Sequence, residues 1–364
     1  MHLSFTLSRY IAHRFLISIG LVFLVIVAVA FLIDVINLGD RAASREGTDF
    51  AIVLGMALLR LPYIAQKVLP FAVLFGTMLT YIWLTRTNEL IVTRAAGVSA
   101  WQFLLPSLLL ACAMGVFVIT LFSPLSSAMI AHFEHMEAQY LRGQESLLSV
   151  SPGGLWLREG DANRQYVIHA SQVAASGASL NDVIIFAFEG EDRFVERIDA
   201  VTAVLRDGYW ELTDVLVTRP DMSAESIASL NLPTELTVHR IQDSFASPET
   251  MSFWALPAFI ETMEEAGFSA LRHRIHWHSI LAVPLLLSAM VLVAATFSLR
   301  LTRRGRMGLF VLAGLGSGFT LYFISDVSLA LGMSGSLPAM LSAWAPATIF
   351  AMLGSALLFH LEDG

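Results

Sequence analysis

Two uncharged stretches, Val68 to Thr85 and Ala95 to Ala131, constrain this chain more than any other feature. A bilayer core of about 30 Å takes roughly 20 residues of helix to cross. Only a helix satisfies its own backbone donors in lipid, so each stretch reads as the body of a spanning helix. Between them lies Arg86 to Ala100, RTNELIVTRAAGVSA, too short for anything but the link of a helical hairpin. Arg86 and Arg94 place the link in the cytoplasm, where short loops concentrate positive charge. Within about 86–97 a short helix is expected, capped by Asn88 and stopped by Gly97, with Leu90, Ile91 and Val92 supplying apolar surface.

Apolar residues make up 56% of the 364 positions and charged ones 14%, the composition of a membrane protein. The net charge of -8 hides a division: 22 of the 30 acidic side chains but 8 of the 22 basic ones fall between Ser123 and Ala270, so the remainder is net positive. The single cysteine, Cys112, lies in an apolar run and forms no intrachain disulfide.

A first span follows Arg9 and Arg14. Its uncharged run, Phe15 to Ile33, is longer than the roughly 7 to 15 residues of a signal-peptide core, which favours an uncleaved helix with a cytoplasmic N-terminus. Asp34, Asp40, Arg41 and Arg45 mark its outer rim. The second span begins near Phe50, is broken by Arg60 and Pro62, and should kink there. A third runs from about Trp101 and leaves the membrane near Pro124. From Ser146 to Phe245 short apolar runs alternate with turn signals, among them LWLRE, QYVIHA, DVIIFAFE, AVTAVLR, YWELTDVLV and ELTVHRI, the pattern of an antiparallel sandwich or barrel. Ser252 to Gly267 reads as a connecting helix. Three more spans follow, about Ile275–Leu299, Met307–Ser325 and Ala339–Phe359; the loop Arg300–Arg306 between the first two holds four arginines and belongs in the cytoplasm. The expected fold is therefore α+β: residues 1–145 with three transmembrane helices, 146–250 an outer β domain, and 251–364 a connecting helix with three further spans, both termini cytoplasmic.

Catalytic signals are missing. The lone lysine, Lys67, precedes Val68 and cannot complete a P-loop. His132 and His135 do not form HExxH, and His273, His276 and His278 read as interfacial histidines rather than a metal site. No catalytic or metal-ligating residue is assigned. Arg41, Arg45, Arg60 and Lys67 form a basic rim that either donates charge-assisted hydrogen bonds to lipid phosphates or anchors helix ends at the interface. Gly314 and Gly318 form a GxxxG pair suited to close helix packing or a gate. The β strands, Ile185 and Phe186 among them, either fill their own core or offer acyl chains a slide. Without a nucleotide motif or an ion-coupling charge pair, the chain needs an energy source elsewhere, and the link is where that source would act; a membrane-anchored envelope scaffold or sensor is the competing reading.

The NELIVTRAAGVS link, an outer β domain after three spans, and the closing YFISDVSLALGMSGSLPAMLSAWAP together resemble the LptF/LptG family of lipopolysaccharide-export permeases, leaning to its LptG branch, and the resemblance runs end to end. It implies an inner-membrane permease subunit of an ABC transporter, paired with an LptF-like paralogue. It further implies a cytoplasmic LptB-like ATPase dimer that holds the ATP and magnesium, with no cofactor in this chain, and a β-jellyroll passing lipopolysaccharide to an LptC-like periplasmic partner. The link becomes a coupling helix in which Glu89 stands at the acidic ATPase contact, with Leu90, Arg94 and Gly97 around it. Asp34 and Asp40 depart from the basic residues that enteric members carry at the outer end of the first helix.

Overall fold

The computed structural model describes residues 5–42, 49–142, 155–160, 164–173, 179–189, 193–220, 222–234, 247–265, 269–299 and 307–363. Arg45, the arginine loop 300–306 and the expected ELTVHRI strand lie outside them. Among the described residues, six helices are long and apolar enough to cross a membrane. In order the helices are α1 (Phe5–Ala42), α2 (Phe50–Arg86), α3 (Glu89–Ala95), α4 (Ala100–Phe117), α5 (Ser123–Glu137), α6 (Leu256–Glu265), α7 (Leu271–Ser298), α8 (Met307–Met333) and α9 (Ala339–Asp363). The chain divides into two units, Met1–Phe133 with Glu249–Leu256 and Leu271–Gly364, and Glu134–Pro248 with Pro257–Ala270.

The helical unit is organised on α7, which packs on α2, α4, α8 and α9. A helix apolar on every side must be buried on every side, and residues 289–296 all are. Small residues let neighbours approach the bundle core. Gly115 of α4 lies against the backbone of Pro284 in α7, and a Cβ there would overlap Pro284 Cα. Gly76 of α2 meets α1, where a Cβ would fall 2.7 Å from Ile19 Cα. The first span, α1, packs mainly on α2 and less on α4, leaving an apolar face from Leu16 through Ile36 uncovered. Helix α2 starts at Asp49, whose carboxylate accepts from Phe50 N at 2.7 Å, and runs unbroken to Arg86 with Pro62 and Pro70 inside it.

The third span is longer than its sequence suggests, reaching Leu141 rather than ending near Pro124. A proline has no N–H, and its ring clashes with the carbonyl four residues earlier, here Thr120. The helix absorbs this with a π-helical turn at Val118–Phe122 and then continues as α5. Thr120 O, displaced from the ladder, accepts instead from Trp254 Nε1 at 3.5 Å, while neighbouring Phe253 is buried with Ile119, Leu256 and Ile280.

The β unit holds β1 (Leu155–Gly160), β2 (Arg164–Val173), β3 (Ser179–Glu189), β4 (Arg193–Arg206), β5 (Tyr209–Thr218) and β6 (Glu225–Pro233). All neighbours are antiparallel in the sequential order of a meander, joined between β4 and β5 by an Asp207–Gly208 turn with Gly208 at φ 85°. Ala170, Val183, Ala200 and Val215 form one buried row across the strands, and Leu180, Ala203 and Leu212 form the next. Two rows rather than one separate them, and Asp182 (φ 51°) and Asp214 (φ 54°) take the left-handed conformation there, which short polar side chains tolerate. A shared irregularity of this kind bends a sheet across its strands. The bent sheet thereby encloses one core containing Ile168, Ile185, Ile198, Trp210 and Leu232. Strand β6, exposed at most of its positions, was not among the strands expected from the sequence; it is held by its pairing to β5.

Candidate functional site

The link between the second and third spans is fixed residue by residue. Helix α2 stops at Thr87, and the chain turns through Asn88 at φ 62°. Asn88 therefore supplies a left-handed turn rather than the side-chain cap expected of it, since its side chain makes no capping hydrogen bond. The seven-residue helix α3 ends in a Schellman arrangement: Gly97 N donates to Arg94 O at 2.9 Å and Val98 N to Thr93 O at 3.3 Å, with Gly97 at φ 82°. Ser99 then opens α4 with a reciprocal cap, Gln102 N donating to Ser99 Oγ at 3.2 Å and Ser99 N to Gln102 Oε1 at 3.3 Å.

Within this frame the apolar residues of α3 divide. Leu90 is 1% exposed and packs with Ile11, Tyr81, Leu84, Phe103 and Leu104, so it anchors the link to its own bundle and does not face a partner. Ile91 and Val92 are 45% and 68% exposed and form the outward apolar surface. Glu89 sits in the first turn, where the helix dipole favours a carboxylate, and Arg94 in the last, where it favours a cation. The Tyr10 hydroxyl of α1 donates to Glu89 Oε1 at 3.3 Å. Beside it the Arg14 guanidinium lies over the Trp83 ring at 3.9 Å.

The basic rim is not a single site. Arg60 Nη1 donates to Asp34 Oδ1 at 2.8 Å and its guanidinium lies 5.2 Å from the Phe133 ring, joining α1, α2 and α5. Asp34 is 7% exposed. Arg60 is thus engaged in an ion pair between α1 and α2, an arrangement that competes with the lipid-phosphate contact expected of it from the sequence. Lys67 Nζ lies 4.6 Å over the Tyr63 ring. Arg41, in the last turn of α1, is exposed. No group of three histidine, cysteine or acidic side chains converges for a metal among the described residues.

A family model described as "Lipopolysaccharide export system permease LptF/LptG" matches residues 9–360. The chain belongs to the LptF/LptG family. It is similar to a lipopolysaccharide export system permease protein LptG of Escherichia coli (strain K12), 26% identical with 97% of this chain and 98% of the relative covered. It is also similar to the protein of that name in Haemophilus influenzae, 21% identical with 98% and 99% covered. Six apolar helices and membership in the LptF/LptG permeases make it a multi-pass membrane protein.

In this LptF/LptG chain, Gly314 and Gly318 face α2: a Cβ at Gly314 would lie 2.7 Å from Met78 Cε, and one at Gly318 would overlap Leu74. They are packing positions between α8 and α2. Sequence reasoning missed Tyr10, Gly76 and Gly115. Val92 was recognisable as apolar, but a helix of under two turns gives no periodicity from which to choose its outward side. The three missed residues depend on partners distant in sequence.

Proposed function

We propose that the chain is a transmembrane subunit of an ABC transporter that extracts lipopolysaccharide from the inner membrane and passes it to a periplasmic bridge toward the outer membrane. The observation that carries this reading is the link: a short helix capped at its end, anchored inward by Leu90 and presenting Ile91 and Val92 outward beside the half-buried Glu89. A carboxylate beside exposed apolar side chains suits a partner's groove holding backbone or arginine donors. Such a knob, rigidly joined to two spans, converts a partner's displacement into helix movement. We assign that partner as an LptB-like ATPase dimer carrying ATP and magnesium, with an LptF-like paralogue on the uncovered helix faces and an LptC-like protein receiving lipid from the β domain.

In this reading both termini and the link are cytoplasmic and the β domain is periplasmic, an arrangement the arginines of residues 300–306 favour. We assign Arg41 and Lys67, at the rim, to lipid phosphates, and Gly314 and Gly318 to the spacing of α8 on α2 at which a gate would work. Purification in mild detergent tests the assignment: an ATPase and a second six-span chain should accompany this one in fixed proportion. Recovery of the chain alone, still folded, would point to an envelope scaffold or sensor.

A further inference from the structure

Glu89 has a second relationship that the coupling reading does not use. Its neighbours on the bundle side come from the inner end of α1, which is otherwise the most exposed of the spans. Leu7 and Ile11 pack into the cluster that buries Leu90, the Tyr10 hydroxyl reaches Glu89 Oε1 at 3.3 Å, and Arg14 stacks on Trp83, the last aromatic residue of α2 before the link. These side chains recur at three- and four-residue spacing, so one stripe of α1 grips both α3 and the end of α2. Farther along the same helix, Asp34 holds Arg60 of α2 at 2.8 Å. Polar ties thus bind α1 to its neighbours near both of its ends, with apolar packing by Phe15 and Ile19 between them.

We propose that Tyr10 is a positioning residue for Glu89. Its hydroxyl holds one carboxylate oxygen, leaves the other for the ATPase partner, and makes α1 a direct recipient of the displacement that reaches α3. A glutamate has three rotatable side-chain bonds, and on an exposed helix the carboxylate samples several rotamers; a hydrogen bond from a separate helix selects among them. When a partner pulls or pushes Glu89, the phenol carries the movement into α1 without passing through α2. The proposal rests on the coupling role of Glu89.

The test is a set of Tyr10→Phe, Glu89→Ala and Tyr10→Phe/Glu89→Ala chains purified with their ATPase and paralogue. Each is read for ATPase affinity, ATP turnover and lipopolysaccharide extracted per ATP in proteoliposomes. Tyr10→Phe keeps the ring beside Arg14 and removes only the donor. It should leave assembly and ATP turnover near wild type and lower extraction per ATP by about three- to tenfold, the scale of one ordinary hydrogen bond lost at an exposed site. The double variant should be no worse than Glu89→Ala. Wild-type extraction per ATP in Tyr10→Phe, with Glu89→Ala defective, overturns the role of Tyr10 and leaves the coupling reading intact. Wild-type behaviour of Glu89→Ala overturns the coupling reading, and the Tyr10 proposal with it. A Tyr10→Phe chain that loses extraction only in proportion to lost assembly shows a structural contact and also overturns the proposal.

Discussion

At the scale of single residues, the two sides of α3 are separable. Leu90 is fully buried, so Leu90→Ala should cost about 2 to 5 kcal/mol of stability, seen as a lower unfolding midpoint in detergent. Val92 is exposed, and Val92→Ala should shift stability by no more than about 0.5 kcal/mol while weakening ATPase association. Loss of stability in Val92→Ala, or of association alone in Leu90→Ala, would reverse the assignment. The Asp34–Arg60 pair makes a similar distinction. One partner is nearly buried and the other about a third exposed, so Arg60→Ala, which strands the Asp34 carboxylate, should destabilise by about 1 to 3 kcal/mol after allowance for solvent. Replacing Asp34 by Asn in the same chain should recover part of that loss. An Arg60→Ala chain of wild-type stability but poor lipid binding would restore Arg60 to the lipid site.

At the scale of elements, the glycines rank the helix contacts. Gly115→Ala must displace the Pro284 backbone and should cost about 1 to 3 kcal/mol, whereas Gly314→Ala meets the flexible end of Met78 and should cost far less. Gly20→Ala, with open space at its Cβ, is the control. Paired unfolding midpoints decide the order. The sequence announced Gly314 and Gly318 because they share one helix at the GxxxG interval, but the tighter approaches at Gly76 and Gly115 each need a partner on another helix. The same limit explains the other differences. The uncharged runs made the six spans legible, and the alternation of five runs made the sheet legible. Continuation past Pro124 was not, because it depends on a π-helical turn and on Trp254 taking up the Thr120 carbonyl from a segment over 130 residues away. Asn88 read as a cap by residue type; its positive φ is set by the reversal between α2 and α3. In α3 the acidic first turn, the basic last turn and the Gly97 stop were all readable, while the inward turn of Leu90 was not.

At the scale of the whole molecule, we propose that the β unit handles lipid and that energy enters at the link. The inner sheet face, with Ile185 fully buried, is the proposed acyl slide, and Phe186, on the opposite face beside Phe194 and Arg197, is not. A photoreactive side chain at Ile185 should capture lipopolysaccharide during ATP-driven transport, and one at Phe186 should not. Adducts from neither position would remove the slide. Energy input is tested most directly by Glu89→Ala. A first-turn carboxylate contributes only about 0.3 to 1 kcal/mol to its own helix, so the variant should fold and insert normally. A desolvated contact to a partner is worth on the order of 2 to 5 kcal/mol, so the variant should bind the ATPase far less tightly or hydrolyse ATP without moving lipid. The deciding quantity is lipopolysaccharide extracted per ATP hydrolysed, measured alongside ATPase affinity in proteoliposomes. A marked fall in either is the predicted result, and wild-type values of both would contradict the account.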